Sequence, residues 1–101
     1  RDGDIVSDKK RFSGFHETDL ADRLNKLGIT TVIVCGVVTN VCVYNTLLGA
    51  SDRGFDPILC DNACATLDPE FCTQDVTYTT GRVLGGVSRA SDICKALSNT
   101  K

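Results

Sequence analysis

Along this chain, stretches with apolar residues at helical spacing take turns with short, continuous apolar runs. Leu20, Leu24 and Leu27 recur at the spacing of one helix face, after Thr18 with Asp19 in the first turn and before Gly28 as a left-handed cap. That pattern predicts a helix from Thr18 to Gly28 that packs along one narrow stripe. The next run, from Ile29 to Cys35, is rich in β-branched residues and has no helical period, so it predicts a strand buried on both faces, which Gly36 ends. A second helix is expected over Asn40 to Arg53, turning Val43, Leu47, Leu48 and Ala50 to the core and closing at Gly54. Thr39 or Asn40 is expected to cap it.

Phe55 to Cys60 predicts a second buried strand, with Pro57 near its start where an amide can be spared, and Asp61 to Ala63 the turn after it. Pro69 suits the first position of a third helix running through Phe71, Val76 and Val83 to Gly85 and Gly86. Val87 to Ala90 predicts a short last strand, and Ser91 with Asp92 caps a terminal helix that carries Ile93, Ala96 and Leu97. Residues 1–16 read as loop with a short extended piece near Asp8 to Phe12, and Ser98 to Lys101 as a mobile tail. Helix and strand in alternation imply an α/β fold with a parallel sheet and right-handed crossovers. In such sheets the functional site lies beyond the carboxyl ends of the strands, which is where Gly36 to Cys42 falls.

Cys42 is therefore the residue of chemical interest. It sits in the first turn of the second helix, where unpaired amides and the positive end of the dipole favour a thiolate. The competing reading is a thiol that fills core volume, the common fate of free cysteine. Lys9 and Lys10 read either as a solvated charge pair or as an ammonium held near Cys42. His16 reads as a surface or capping residue, and Phe15 and Tyr44 each read equally as core or as pocket wall.

Composition narrows the classes without adding a site. The 101 residues are 42% hydrophobic and 24% charged, an ordinary globular balance for at most one domain. A formal net charge of −2, with no basic stripe beyond Lys9, Lys10 and Arg11, argues against nucleic-acid binding. No apolar run is long enough for a membrane helix. The chain begins at Arg1 and contains no Met, so it reads as a mature product or a piece of a longer chain. Its six cysteines invite a disulfide framework, but Cys35, Cys42 and Cys60 fall in regular elements and are expected as buried thiols. No CxxC pair is present and there is one histidine, which argues against structural zinc. GRVLGG at Gly81 to Gly86 lacks the preceding strand and the GxGxxG spacing of a dinucleotide site.

The motif GVVTNVCV at Gly36 to Val43, with KKRFSGF at Lys9 to Phe15 and Thr18-Asp19-Leu20 after it, resembles the second half of the isochorismatase-like cysteine hydrolases. That family includes nicotinamidases, N-carbamoylsarcosine amidases, ureidoacrylate amidohydrolases and isochorismatases. The resemblance is clear over about residues 9–66. It implies a three-layer, Rossmann-like α/β/α domain of which residues 1–101 form the C-terminal part. It implies that Cys42 is the nucleophile and Lys9 the catalytic lysine, with Lys10 as the fallback. It also implies a cis peptide between Val37 and Val38 and an oxyanion hole formed by the amides of Val38 and Cys42. Thr39, Asn40, Phe15 and Tyr44 are the candidate substrate contacts, Asn40 standing where many members have Asp.

The family's third catalytic group, an early-strand Asp, has no counterpart here, since Asp2, Asp4 and Asp8 precede Lys9 too closely. No cofactor is expected from these residues, and the metal ligands of the nicotinamidase branch would lie in the part of the domain that precedes them. The implied activity is hydrolysis of a C–N amide or carbamoyl bond in a small molecule through a thioester. The implied partners are that substrate, the N-terminal portion of the same domain and further copies of the chain, in the cytoplasm, with no nucleic acid or membrane. The rival readings are vinyl ether hydrolysis of the isochorismatase type, a non-catalytic module or inactive fragment, and a thiol redox protein.

Overall fold

A computed structural model describes residues 3–99. Three parallel strands, β1 (Thr31–Val37), β2 (Asp56–Ala65) and β3 (Gly86–Ser88), lie in the order β1-β2-β3. Helices connect and flank them: α1 (Leu20–Lys26) before β1, α2 (Tyr44–Asp52) between β1 and β2, α3 (Glu70–Thr79) between β2 and β3, and α4 (Ala90–Ser98) at the end. This is the expected parallel α/β architecture. The turns that punctuate it come from residues that tolerate a positive φ, such as Gly28 after α1 and Gly54 after α2.

The apolar spacing of α2 decides where the core sits. Val43 and Leu47, one helical turn apart, meet Leu59 of β2 and Val76 of α3 in the main cluster, with Val34, Tyr44, Leu84 and Val87 packed against it. A second cluster joins Phe15, Ala50 and Phe55 to Leu20, Leu24 and Val32. Phe15 and Phe55 stack with ring centroids 5.6 Å apart, and the Arg53 guanidinium lies over Phe15.

Several boundaries differ from the sequence expectation, each for a physical reason. Strand β1 is covered on one face only: Val32 and Val34 pack on the clusters, while Ile33, Cys35 and Val37 on the other face are exposed; among the described residues β1 is also an edge strand. Cys35 is thus no buried thiol. Gly36 does not end the strand; it takes a φ of 122° at a register shift, and pairing resumes as Gly36 with Cys64 and Val37 with Ala65. That resumed pairing is why Asp61 to Ala63, expected as a turn, stay within β2. Lys10 to Phe12 form bends, and Asp8 and Lys9 before them belong to no strand.

The last helix begins at Ala90, ahead of Ser91 and Asp92, because the Asn62 carboxamide of β2 accepts the Ala90 amide hydrogen at 2.7 Å. Gly86 opens β3 instead of ending α3, and β3 stops at Ser88. Of the apolar residues assigned to the third helix only Val76 is buried; Phe71 and Val83 are exposed. Thr100 and Lys101, in the expected tail, and Asp2 lie outside the described residues.

Thr80, fully buried where α3 passes into a π-helical turn (Thr80–Leu84), has a hydroxyl without a hydrogen-bond partner among the described residues. A buried hydroxyl in that state costs about 1–3 kcal/mol, and valine has nearly the same shape. Thr80→Val is therefore expected to raise the urea midpoint, by about 1 kcal/mol of stability. A lower midpoint would mean that the hydroxyl is paired after all.

Candidate active site

Strand β1 leads straight into the turn that carries Cys42. The Val37–Val38 peptide bond is cis. Residues Thr39–Val43 then form a π-helical turn, in which the Val38 carbonyl accepts the amides of Val41 and Val43, both at 3.1 Å, before α2 continues the helix. Such turns within α-helices recur at functional sites. Cys42 lies in this turn, half-buried. Neither Thr39 nor Asn40 caps the helix by a side-chain bond; Thr39 is buried, which removes it from the candidate substrate contacts.

Asn40 instead ties the turn to the segment after β2. Its amide nitrogen donates to Asp68 Oδ2 at 2.8 Å, its oxygen accepts from the Thr66 hydroxyl at 2.9 Å, and the Asp68 amide donates to that hydroxyl at 3.1 Å. Three polar groups so satisfied fix where Cys42 sits relative to the sheet.

The segment bearing Lys9 is fastened to the same helix from the other side. The Thr46 hydroxyl donates to the Cys42 carbonyl at 2.8 Å and accepts the Gly14 amide at 3.0 Å. At Gly49 a Cβ would stand 2.7 Å from Ser13 Oγ, so the loop approaches α2 where no side chain intervenes. Within this frame the Lys9 ammonium donates to the Arg11 carbonyl at 3.1 Å and lies 4.0 Å from Cys42 Sγ. Residues 33 apart in sequence thus place a cation against a sulfur. Lys10 makes no hydrogen bond to the sulfur.

Two clefts meet at this pair. The larger, about 420 Å³, is lined by Lys9, Lys10, Arg11, Phe12 and Cys42. The smaller, about 160 Å³, runs along the end of β1 past Cys35, Gly36 and Val37 and also reaches Lys9 and Cys42. Tyr44 faces a separate cleft of about 300 Å³ with Asn40, Phe71, Cys72, Asp75 and Val76. Phe15, 3% exposed, belongs to the core beneath the Lys9 loop and is not a wall of either Cys42 cleft.

Sequence reasoning missed Arg11 and Phe12 as cleft residues, and Thr46 as the link between the two catalytic candidates. The basic triplet was the available signal for Arg11; Thr46, one turn beyond Cys42, carried none.

All six thiols are free. Burial pushes the Cys64 thiol up, against the opposing hydrogen bond to the Gly36 backbone, so that sulfur stays protonated near neutral pH. No group of three His, Cys, Asp or Glu residues among those described could hold a metal ion, and no helix among them is long and apolar enough to cross a membrane.

Comparison with known proteins agrees with this fold. The family model described as "Isochorismatase domain" matches residues 1–88. The ureidoacrylate amidohydrolase RutB of Agrobacterium fabrum is 32% identical over 95% of this chain and 42% of its own length. A cysteine hydrolase from Pseudomonas syringae pv. phaseolicola superposes with a TM-score of 0.95 at 27% identity, over 100% of this chain and 52% of that one. The N-carbamoylsarcosine amidase of Thermoplasma acidophilum gives 0.75 at 34% identity, over 88% and 50%. This chain thus spans about half the length of the relatives it matches, and over that span it belongs to the isochorismatase family of hydrolases.

Proposed function

We propose that this chain carries the nucleophile of a cysteine amidohydrolase that cleaves a C–N amide or carbamoyl bond in a small molecule. The observation that carries the reading is the Lys9 ammonium 4.0 Å from Cys42 Sγ at the mouth of a cleft. Relatives named for ureidoacrylate and N-carbamoylsarcosine support the bond type.

In this reading a carboxylate from the part of the domain outside residues 1–101 takes the Cys42 proton, and Lys9 stabilises the resulting negative charges. The sulfur adds to the carbonyl carbon. The C–N bond then breaks, the amine leaves with the proton held by the carboxylic acid, and a thioester remains. Water, deprotonated by the same carboxylate, adds to the thioester and expels the Cys42 sulfur. The amides of Val38 and Cys42 hold each oxyanion; in the first turn of a helix an amide lacks an intrahelical carbonyl and is available for that role.

The remaining part of the domain is proposed to cover β1. Its edge is open, Ile33 and Val37 are 42% and 67% exposed, and an apolar cleft lies against it between Leu20, Leu24, Val32 and Cys35. These residues alone are then inactive. The assembled protein is proposed to be a cytoplasmic homo-oligomer, the free thiols being the feature that suits a reducing compartment.

Alkylation of the intact protein tests the nucleophile. Cys94 on α4 is exposed and Cys42 is half-buried, so reactivity set by access alone ranks Cys42 below Cys94. Activation reverses the order: iodoacetamide at neutral pH is expected to modify Cys42 at least about tenfold faster than Cys94, read by peptide mass spectrometry over time. Labelling that follows exposure would remove Cys42 as the nucleophile.

A further inference from the structure

Helix α3 and the π-helical turn that continues it pack by one face only. Val76 and Thr80, one turn apart, are buried on the inner face, Val76 in the main cluster with Leu59 of β2 and Val87 of β3. On the opposite face Phe71, Asp75, Tyr78 and Arg82 are all exposed. Their 4-3-4 spacing is that of a seam along which two helices pack lengthwise. Two large rings lie on it mostly in solvent, Phe71 at 68% and Tyr78 at 65% exposure. The part of the domain outside residues 1–101 does not account for this stripe: it is proposed to join at β1, whereas α3 and its turn cross from β2 to β3, at the other end of the sheet.

The charges on the stripe identify what covers it. Asp75 stands three residues before Tyr78 and Arg82 four after it. Neither belongs to an ion pair among the described residues, and Asp75 accepts the Thr79 hydroxyl at 3.5 Å. A parallel copy of the same helix would set like charges against each other. An antiparallel copy, related by a two-fold axis at Tyr78, brings each Asp75 opposite the other copy's Arg82. From this self-complementary pattern we propose that two copies of the protein associate through α3, antiparallel about a two-fold axis that passes Tyr78. One patch then serves both subunits, as a closed dimer requires. The two Tyr78 rings meet at the centre, flanked by two Asp75–Arg82 pairs, and tyrosine and arginine are the residue types that most often anchor interfaces. Phe71 lies over the far end of the other helix, where the widened turn leaves Val83 70% exposed. The proposal rests on the homo-oligomer of the reading above and gives it a surface; it does not depend on which bond Cys42 cleaves.

Charge reversal in the intact protein tests the pairing. At micromolar concentration the parent protein is expected to sediment with the mass of an even number of copies. Arg82→Asp and Asp75→Arg each set like charges opposite one another twice across the axis, and each is expected to raise the Kd of the α3 contact at least about a hundredfold and halve the mass. The doubly reversed protein, Asp75→Arg with Arg82→Asp, restores both pairs and is expected to recover the parent mass, which separates a lost contact from a lost fold. A parent protein that sediments as a single copy overturns the interface and the homo-oligomer together, and leaves the cysteine chemistry standing. An oligomer whose mass and Kd are unchanged by either single reversal overturns the α3 surface alone. Single variants that dissociate, with a double variant that stays dissociated, overturn the antiparallel pairing.

Discussion

Cys42→Ala in the intact protein is expected to lower kcat for amide hydrolysis by about four orders of magnitude or more. The size of the effect follows from what the sulfur does: without it no thioester forms, and water must attack the amide directly. The rest of the site survives the change. Thr46 still bonds the carbonyl of residue 42, Asn40 still bonds Asp68 and Thr66, and the core beneath is built from Val43 and Leu47. The melting temperature should therefore move by no more than about 2–4 °C, the cost of one half-buried sulfur. Activity and melting together make the test specific. Full loss of turnover with an intact melt assigns chemistry to the sulfur, and loss of both assigns it to folding. Retained amide turnover would remove Cys42 as the nucleophile.

How much of this site could be read from the chain depended on whether its parts are local. The β-branched run before Gly36 and the helical spacing after Cys42 are local signals, and they located the strand, the turn and the thiol. The residues left Lys9 and Lys10 open between a solvated pair and an ammonium near Cys42, and the resemblance alone favoured Lys9, because 33 residues separate it from Cys42 and a solvated face is the ordinary fate of a lysine pair in a polar loop. The bonds that bring the two together pass through Thr46 and Gly14, neither of which carries a sequence signal of its own.

The length of β2 was hidden for a related reason. Asp61 and Asn62 are turn formers by composition, yet they extend a strand because the register shift at Gly36 lets β1 pair with Cys64 and Ala65, and because Asn62 is engaged at the start of α4. Composition also could not tell that one face of β1 is bare. A run of Val, Ile and Thr says that a strand suits burial, and what lies against it is decided elsewhere in the domain.

The most crowded glycine among the described residues sets the other large effect. At Gly85, between the π-helical turn after α3 and β3, a Cβ would stand 2.0 Å from the Pro57 carbonyl oxygen and 3.0 Å from the Pro57 ring. The obstacle is backbone oxygen and a rigid ring at the start of β2, so neither can swing aside as a long side chain would. Gly85→Ala must instead part β3 from β2 where Ile58 pairs with Gly86, and β2 is the strand against which the Cys42 turn is registered. The expected loss is about 3 kcal/mol or more, which in an intact domain about twice this length lowers Tm by at least about 6 °C. Gly81→Ala is the control. Its Cβ would meet only the Val87 side chain, at 3.4 Å, in a helical turn where alanine is preferred to glycine, so its Tm should stay within about 4 °C of the parent protein or rise. A Gly85→Ala protein that melts like Gly81→Ala would show that β3 does not approach Pro57 as described.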